Sequence, residues 1–94
     1  LQALISRFRQ KLQSPTVPFL AGQMGQFPEQ PWDAAKRRVD AAHRALPGQV
    51  ARTAFVPSLG LGHKGDEVHF DAKSYRELGR RYARAWLAMR DRTP

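Results

Sequence analysis

Asp66 and His69 lie three positions apart in the segment GDEVHF, residues 65–70, between a glycine-rich stretch and a helix-forming stretch. On an irregular loop this spacing lets the carboxylate accept a hydrogen bond from one imidazole nitrogen, which leaves the other nitrogen as a base. That arrangement is the base and the orienting acid of a hydrolytic triad. Because Asp-x-x-His also recurs by chance, the spacing leaves open that Asp66 is a turn residue and that His69 packs at a helix entrance.

Other groupings of polar residues in this segment suggest different chemistry. His63, Asp66, His69 and Asp71 offer nitrogen and carboxylate ligands of the kind that zinc binds, although a loop histidine such as His63 is more often exposed or lines a cleft. We expect Glu67 to be solvated; a glycosidase role would depend on its distance from a second carboxylate, which the sequence does not give. The chain has no cysteine, so a thiolate metal site and a thiol nucleophile are excluded. We predict no cofactor and no metal.

The chain is strongly basic, with 16 Lys and Arg against 8 Asp and Glu and a formal net charge of +8 over 94 residues. Such a charge suggests a polyanionic partner. The basic residues of the last helical stretch, however, lie opposite its apolar stripe, as expected for a solvated helix face. No aromatic and basic residues interleave on one surface, so we do not expect nucleic-acid binding. No apolar run approaches the roughly 20 residues of a membrane span.

Hydropathy patterns predict the order helix, strand, helix, strand, loop, helix. Helices are predicted from Leu1 to about Ser14, from Pro31 to Leu46 and from Asp71, the expected N-cap, to Met89. Short apolar runs at 17–23 and 51–58 predict two strands. The loop from the second strand to the last helix is rich in glycine and long enough to carry function.

Four more expectations concern packing and topology. Trp32 and Trp86 fall on helical apolar stripes and are expected in the core, and Gly79 on the last stripe is expected to allow a close approach of helix to sheet. Two strands joined through a helix imply a parallel pair with a crossover. Two strands cannot cover three amphipathic helices, and Leu1 already stands in helical register, so we expect further strands from upstream sequence or from another chain.

From VPFLAGQ to SYRELGRRYARAW, about residues 15–89, the chain resembles the C-terminal part of SGNH-type hydrolases. The most similar branch holds sialate O-acetylesterase-like and acetylxylan esterase-like proteins, and the residues that carry the resemblance are Asp66 and His69 in GDEVHF and the SYRELGRRYARAW that follows. The resemblance implies an α/β class: a three-layer α/β/α, flavodoxin-like fold with a parallel sheet, of which residues 1–94 form one partial domain. It also implies a carbohydrate esterase that removes O-acetyl groups, with Asp66 and His69 as catalytic residues.

One part of that family pattern is missing. The family's nucleophilic serine stands in a Gly-Asp-Ser or Gly-Gln-Ser block, whereas here Gly65-Asp66 precedes Glu67 and Gly22-Gln23 precedes Met24. We therefore expect this chain to supply the acid and histidine and to be inactive alone. The expected partners are an acetylated carbohydrate, the missing N-terminal part of the same protein, and a second copy as the alternative way to cover open sheet edges. A small basic interaction module without catalysis is the alternative function.

Overall fold

The structure is a computed structural model that describes residues 1–91. Its elements are α1 (Gln2–Lys11), β1 (Phe19–Gly22), α2 (Ala34–Ala45), a short 3-10 helix (Leu46–Gly48), β2 (Thr53–Val56) and α3 (Ala72–Asp91). The predicted order of helices and strands is confirmed. The two strands pair in parallel over four residues, from Phe19 opposite Thr53 to Gly22 opposite Val56.

Helices cover both faces of this sheet. Ala21 and Gly22 are consecutive in β1, so they point to opposite faces. Ala21 belongs to a buried cluster with Ile5 of α1 and Leu46. Gly22 lies against the Tyr82 side chain of α3. The arrangement is helix, parallel sheet, helix, which confirms the predicted α/β class and is consistent with a portion of an SGNH-like fold.

The start of α2 differs from the prediction. The helix begins at Ala34 because the Asp33 side chain accepts a hydrogen bond from the Lys36 backbone N–H at 2.8 Å, which makes Asp33 the N-cap. Trp32 therefore precedes the helix, half-buried, and its indole N–H donates to the Gly25 carbonyl at 2.9 Å. The expectation of Trp32 on a helical core stripe is wrong.

The apolar stripes of α2 and α3 are also less buried than predicted. On α2, Val39 is 45% exposed, whereas the neighbouring Asp40 is only 9% exposed. On α3, Trp86 is 43% exposed, with the Arg90 guanidinium over its ring. A Cβ at Gly79 would meet no other group within 4 Å, so the expected close approach of helix to sheet at this residue is wrong. The close approach occurs instead at Gly22.

One face of α1 exposes a row of large apolar side chains. Leu1, Leu4, Phe8 and Leu12 are 46 to 62% exposed, whereas Ile5, which shares this side of the helix, is fully buried. Among residues 1–91 no helix is long and apolar enough to cross a membrane.

Candidate active site

The loop that joins β2 to α3 leaves the carboxyl end of β2, the end of a parallel strand at which ligands commonly bind. Two backbone hydrogen bonds close it. Lys64 N–H donates to the His69 carbonyl at 3.0 Å, and Asp71 N–H donates to the Gly62 carbonyl at 3.0 Å. We call residues 63–69 the Asp–His loop. Because its ends are tied together, the residues between them are held in a compact turn.

Asp66 and His69 meet at the surface of the Asp–His loop. His69 Nδ1 lies 2.6 Å from Asp66 Oδ2. The other carboxylate oxygen, Oδ1, accepts backbone N–H groups from Val68 at 3.0 Å and from His69 at 2.8 Å. The side chains are 60% exposed for His69 and 36% for Asp66. The structure thus brings together the two residues that the sequence analysis paired. One oxygen of the Asp66 carboxylate binds the His69 ring, and the other binds the backbone of Val68 and His69.

The hydrogen bonds around Asp66 also determine its charge. The His69 backbone N–H, then the His69 ring and the Val68 backbone N–H, hold the pKa of the Asp66 carboxyl well below its usual value. An ionised carboxylate only accepts hydrogen bonds, so the proton between the two side chains belongs to His69 Nδ1 in this arrangement. The neutral ring then carries its lone pair on Nε2. That nitrogen is the one that accepts a proton in general base catalysis by an Asp–His pair.

His63 is partly buried, so it is not the exposed loop histidine that was one of the two expectations. Its side chain is only 21% exposed, and Nε2 lies 3.4 Å from Glu29 Oε1. Nδ1 accepts backbone N–H groups from Gly65 at 3.0 Å and from Glu67 at 3.2 Å. Sequence spacing gave no sign of this role. Within the described residues no group of three or more His, Cys, Asp or Glu is placed to hold a metal ion, so the structure does not support the zinc alternative.

The end of the loop is anchored to α3. Ser74 N–H donates to Asp71 Oδ1 at 2.7 Å, which confirms Asp71 as the N-cap and holds the pKa of its carboxyl below the usual value. The Ser74 hydroxyl accepts the Gly62 backbone N–H at 2.8 Å. Phe70 packs edge-on against Phe27 with ring centroids 5.8 Å apart. These contacts fix the end of the loop where it enters α3.

A second polar cluster lies at the carboxyl ends of both strands, and the sequence analysis missed it. Gln23 Nε2 donates to Asp40 Oδ1 at 3.0 Å, and Gln23 Oε1 accepts the Ser58 backbone N–H at 2.8 Å. The Ser58 hydroxyl lies 2.7 Å from the Met24 carbonyl and 3.2 Å from Gln23 Oε1, so its single proton serves the shorter contact. We call Gln23, Asp40 and Ser58 the strand-end network. All three are buried, and the only sequence signal was a glutamine directly after an apolar strand.

None of the four serines is placed to be the nucleophile of the Asp–His pair. Ser58 and Ser74 are 1% and 7% exposed, and both hydroxyls are hydrogen-bonded. Ser6 and Ser14 belong to α1 and the turn after it, which lead into the amino end of β1. The Asp–His loop leaves the carboxyl end of the parallel strand β2, at the other end of the sheet.

The basic face of α3 is partly neutralised. Glu77 contacts three arginines, Arg80, Arg81 and Arg84, with the two shortest ion pairs at 3.2 Å. The hydrogen bond from Arg81 is the main reason that the pKa of Glu77 lies below its usual value. Arg81 also donates to the Pro57 carbonyl at 3.0 Å, which ties α3 to the start of the loop. These contacts agree with the predicted solvated face.

Comparison with known proteins identifies the family. No curated protein matches the chain. A sequence model of a carbohydrate esterase family, sialic acid-specific acetylesterase, matches residues 1–88. That match spans nearly all of the chain and includes both strands and the Asp–His loop, as the resemblance of GDEVHF and SYRELGRRYARAW predicted. The chain therefore belongs to the sialic acid-specific acetylesterase family of carbohydrate esterases.

Proposed function

We propose that this chain supplies the acid and the base of a serine esterase that removes O-acetyl groups from carbohydrates. The family relates the chain to carbohydrate acetylesterase function. The observation that carries the finer proposal is the 2.6 Å contact between His69 Nδ1 and Asp66 Oδ2 on an exposed loop. The imidazole is 60% exposed, so a group that arrives from outside the chain can reach the ring. Asp66 and His69 are thus the proposed catalytic residues.

Their proposed roles follow from the hydrogen-bond pattern. His69 Nε2 takes the proton of a serine hydroxyl while the serine oxygen bonds to the acetyl carbon, and it later gives that proton to the departing sugar oxygen. Asp66 holds the ring in the tautomer with the proton on Nδ1 and stabilises the imidazolium that forms between the two transfers. Water then attacks the acetyl-enzyme with the same histidine as base, which releases acetate and restores the serine.

The nucleophile is proposed to come from a part of the same protein outside these 94 residues. The burial and hydrogen bonds of Ser58 and Ser74 support this, since neither hydroxyl is available. The exposed apolar face of α1 supports it as well, because Leu4 and Phe8 are half-exposed beside a sheet that has two strands within residues 1–91. Additional strands from the same protein would cover the apolar face of α1 and pair with the open edges of the sheet. A second copy of the chain is the alternative cover, and sedimentation of the chain distinguishes a monomer from a dimer.

The basic interaction module has less support. Arg80, Arg81 and Arg84 share the single Glu77 carboxylate, so one of their three positive charges is compensated and their side chains are occupied within the helix. The match to an esterase family is not explained by a non-catalytic module.

Acetate release tests the proposal. The full reading frame that contains this chain is assayed on O-acetylated sialic acid and on acetylated xylan, beside the 94-residue chain alone. We expect turnover by the full protein and none by the chain. His69→Ala in the full protein should lower kcat by at least about 100-fold, since general acid–base catalysis by one side chain contributes about 100- to 10,000-fold. Asp66→Asn should lower kcat in the same direction by a smaller factor.

His43→Ala is the matched control, since His43 lies on α2 away from the Asp–His loop and should leave kcat unchanged. Circular dichroism of each variant checks folding. A folded His69→Ala protein that keeps the turnover of the wild type would show that the catalytic assignment is wrong.

A further inference from the structure

Two side chains, those of His63 and Asp66, accept hydrogen bonds from the backbone of the Asp–His loop. His63 Nδ1 accepts the N–H groups of residues 65 and 67, on either side of Asp66. Asp66 Oδ1 accepts the N–H groups of residues 68 and 69. The amides on both sides of the aspartate are therefore bound, and the backbone position of Asp66 depends on the His63 ring. Removing that ring would free the turn that aims the carboxylate at His69.

We propose that His63 is a positioning residue whose unprotonated Nδ1 holds the Asp–His loop in the conformation that brings Asp66 to His69. The inference rests on the proposed function for its catalytic meaning, although the positioning itself is a property of the loop. Within residues 1–91, the hydrogen bonds of the His63 ring go to backbone N–H groups and not to the side chains of Asp66 or His69. It acts through the backbone that carries them.

Backbone strain indicates why such an anchor is needed. Gly65 has φ +113° and Glu67 has φ +62°, both in the region that L side chains rarely adopt. Glycine tolerates this conformation, whereas a glutamate there is strained and persists only where its surroundings hold it. Within the Asp–His loop, Gly65 and Glu67 are also the two residues whose N–H groups donate to His63 Nδ1. The imidazole thus helps to hold the strained Glu67 and the glycine two positions before it.

The ring is itself held in one orientation and one tautomer. Its edge packs against Phe27, with centroids 5.1 Å apart and ring planes at 73°. A nitrogen that accepts two N–H groups carries no proton, so in the neutral ring the proton lies on Nε2, the atom 3.4 Å from Glu29 Oε1. The packing against Phe27, the Glu29 carboxylate and the two backbone N–H groups therefore all favour this orientation and this tautomer of the His63 ring.

Two substitutions separate the acceptor from the ring. His63→Asn places an amide oxygen near the position of Nδ1, whereas His63→Phe keeps an aromatic ring against Phe27 without an acceptor. The readouts on the 94-residue chain are amide hydrogen exchange at residues 65, 67, 68 and 69 and the NMR signal of the His69 ring N–H. In the phenylalanine variant we expect exchange at these amides to rise by about tenfold or more, since two hydrogen bonds are lost. We also expect the His69 ring signal to shift or disappear, and the asparagine variant to restore both toward the wild type.

The control is the Gln23 amide, which donates to the Val56 carbonyl at 2.8 Å in the strand-end region and should keep its protection in both variants. Unchanged exchange at residues 68 and 69 with an unchanged His69 signal in His63→Phe would overturn the proposal. Equal loss in both variants would overturn it too, because the acceptor would then not be what matters.

A measurement on the unaltered chain covers the case in which the phenylalanine variant does not fold. Ring nitrogen NMR at neutral pH should show His63 with its proton on Nε2, and a proton on Nδ1 would overturn the proposal. Neither readout uses turnover. A loop that loosens as expected, in a protein whose His69→Ala variant still releases acetate, would therefore refute the proposed function and leave the positioning role standing.

Discussion

The strand-end network and the Asp–His loop both lie where β1 and β2 end, yet the chain builds them in opposite ways. The network joins residues 17 and 35 positions apart, as Gln23 reaches Asp40 and Ser58, and all three are buried. The loop joins Asp66 to His69 across three positions, and both side chains are exposed. The difference separates two tasks. A buried network with every partner inside the protein holds strands and helix together, whereas an exposed pair keeps one ring nitrogen for a group that arrives from outside.

This comparison predicts that a substitution in the strand-end network lowers the free energy of unfolding of the whole chain. Gln23→Met keeps the side-chain volume but leaves the Ser58 N–H and Asp40 Oδ1 without their partner in a buried site, while Asp40 Oδ2 keeps its contact with Arg44. Because each unsatisfied buried polar group costs about 1–3 kcal/mol, we expect the free energy of unfolding to fall by about 2–4 kcal/mol. Urea unfolding followed by circular dichroism measures it.

Gln26→Met is the matched control, since Gln26 is exposed in the loop between β1 and α2 and should change stability little. A Gln23→Met protein within about 0.5 kcal/mol of the wild type, the range of ordinary surface substitutions, would remove the distinction between network and loop.

The second prediction concerns Gly22, the strand residue before Gln23. A Cβ at Gly22 would overlap Tyr82 Oη and lie 2.8 Å from Cζ, so α3 or the tyrosine must move. We expect Gly22→Ala to destabilise the protein by about 1–3 kcal/mol, the usual cost of overpacking. In a Tyr82→Ala background the same substitution should cost almost nothing, and a double-mutant cycle measures that coupling.

Gly79→Ala is the control within α3. Nothing lies within 4 Å of a Cβ at this position, so the substitution should stabilise the helix by about 1 kcal/mol, the difference in helix propensity between Ala and Gly. A loss of stability at Gly79 together with no loss at Gly22 would mean that the close approach of α3 to the sheet has been placed at the wrong glycine.

Hydropathy periodicity in the sequence predicts the elements of the fold but not which of their side chains are buried. Periodicity correctly predicted the three helices and both strands, because it depends only on neighbours along the chain. It did not predict which side of a helix is covered. On α2 the apolar Val39 faces outward while Asp40 turns inward to Gln23, a contact between distant residues that no local pattern encodes.

Local polar contacts were accessible in the same sequence, although not all were recognised. The contact of Asp66 with His69 and the cap at Asp71 were predicted, since both are formed within three residues. Asp33 is also a local N-cap signal, but Pro31 equally favours the first turn of a helix, so the sequence offers two start positions for α2. The role of His63 could not be predicted, because it depends on the positive φ values that bring the Gly65 and Glu67 amides to one ring nitrogen.

The smallest expected effect tests the loop without altering its sequence. The pKa of Asp66 is lowered in the folded protein, so its carboxylate contributes to loop order above the unfolded value of about 3.9, and that contribution is lost only as the pH falls through the lower folded value. We expect the carboxyl carbon signal of Asp66 to remain that of an ionised group when the pH is lowered through 3.9. Acidification should release the Val68 and His69 amides before the Gln23 amide, because the exposed loop opens locally while the strands stay paired. In Asp66→Asn these two amides should already exchange faster than in the wild type at pH 7. Titration of Asp66 at an ordinary value would contradict the hydrogen bonds around its carboxylate. Simultaneous release of all three amides would show that the loop and the strand-end network form one cooperative unit and not two.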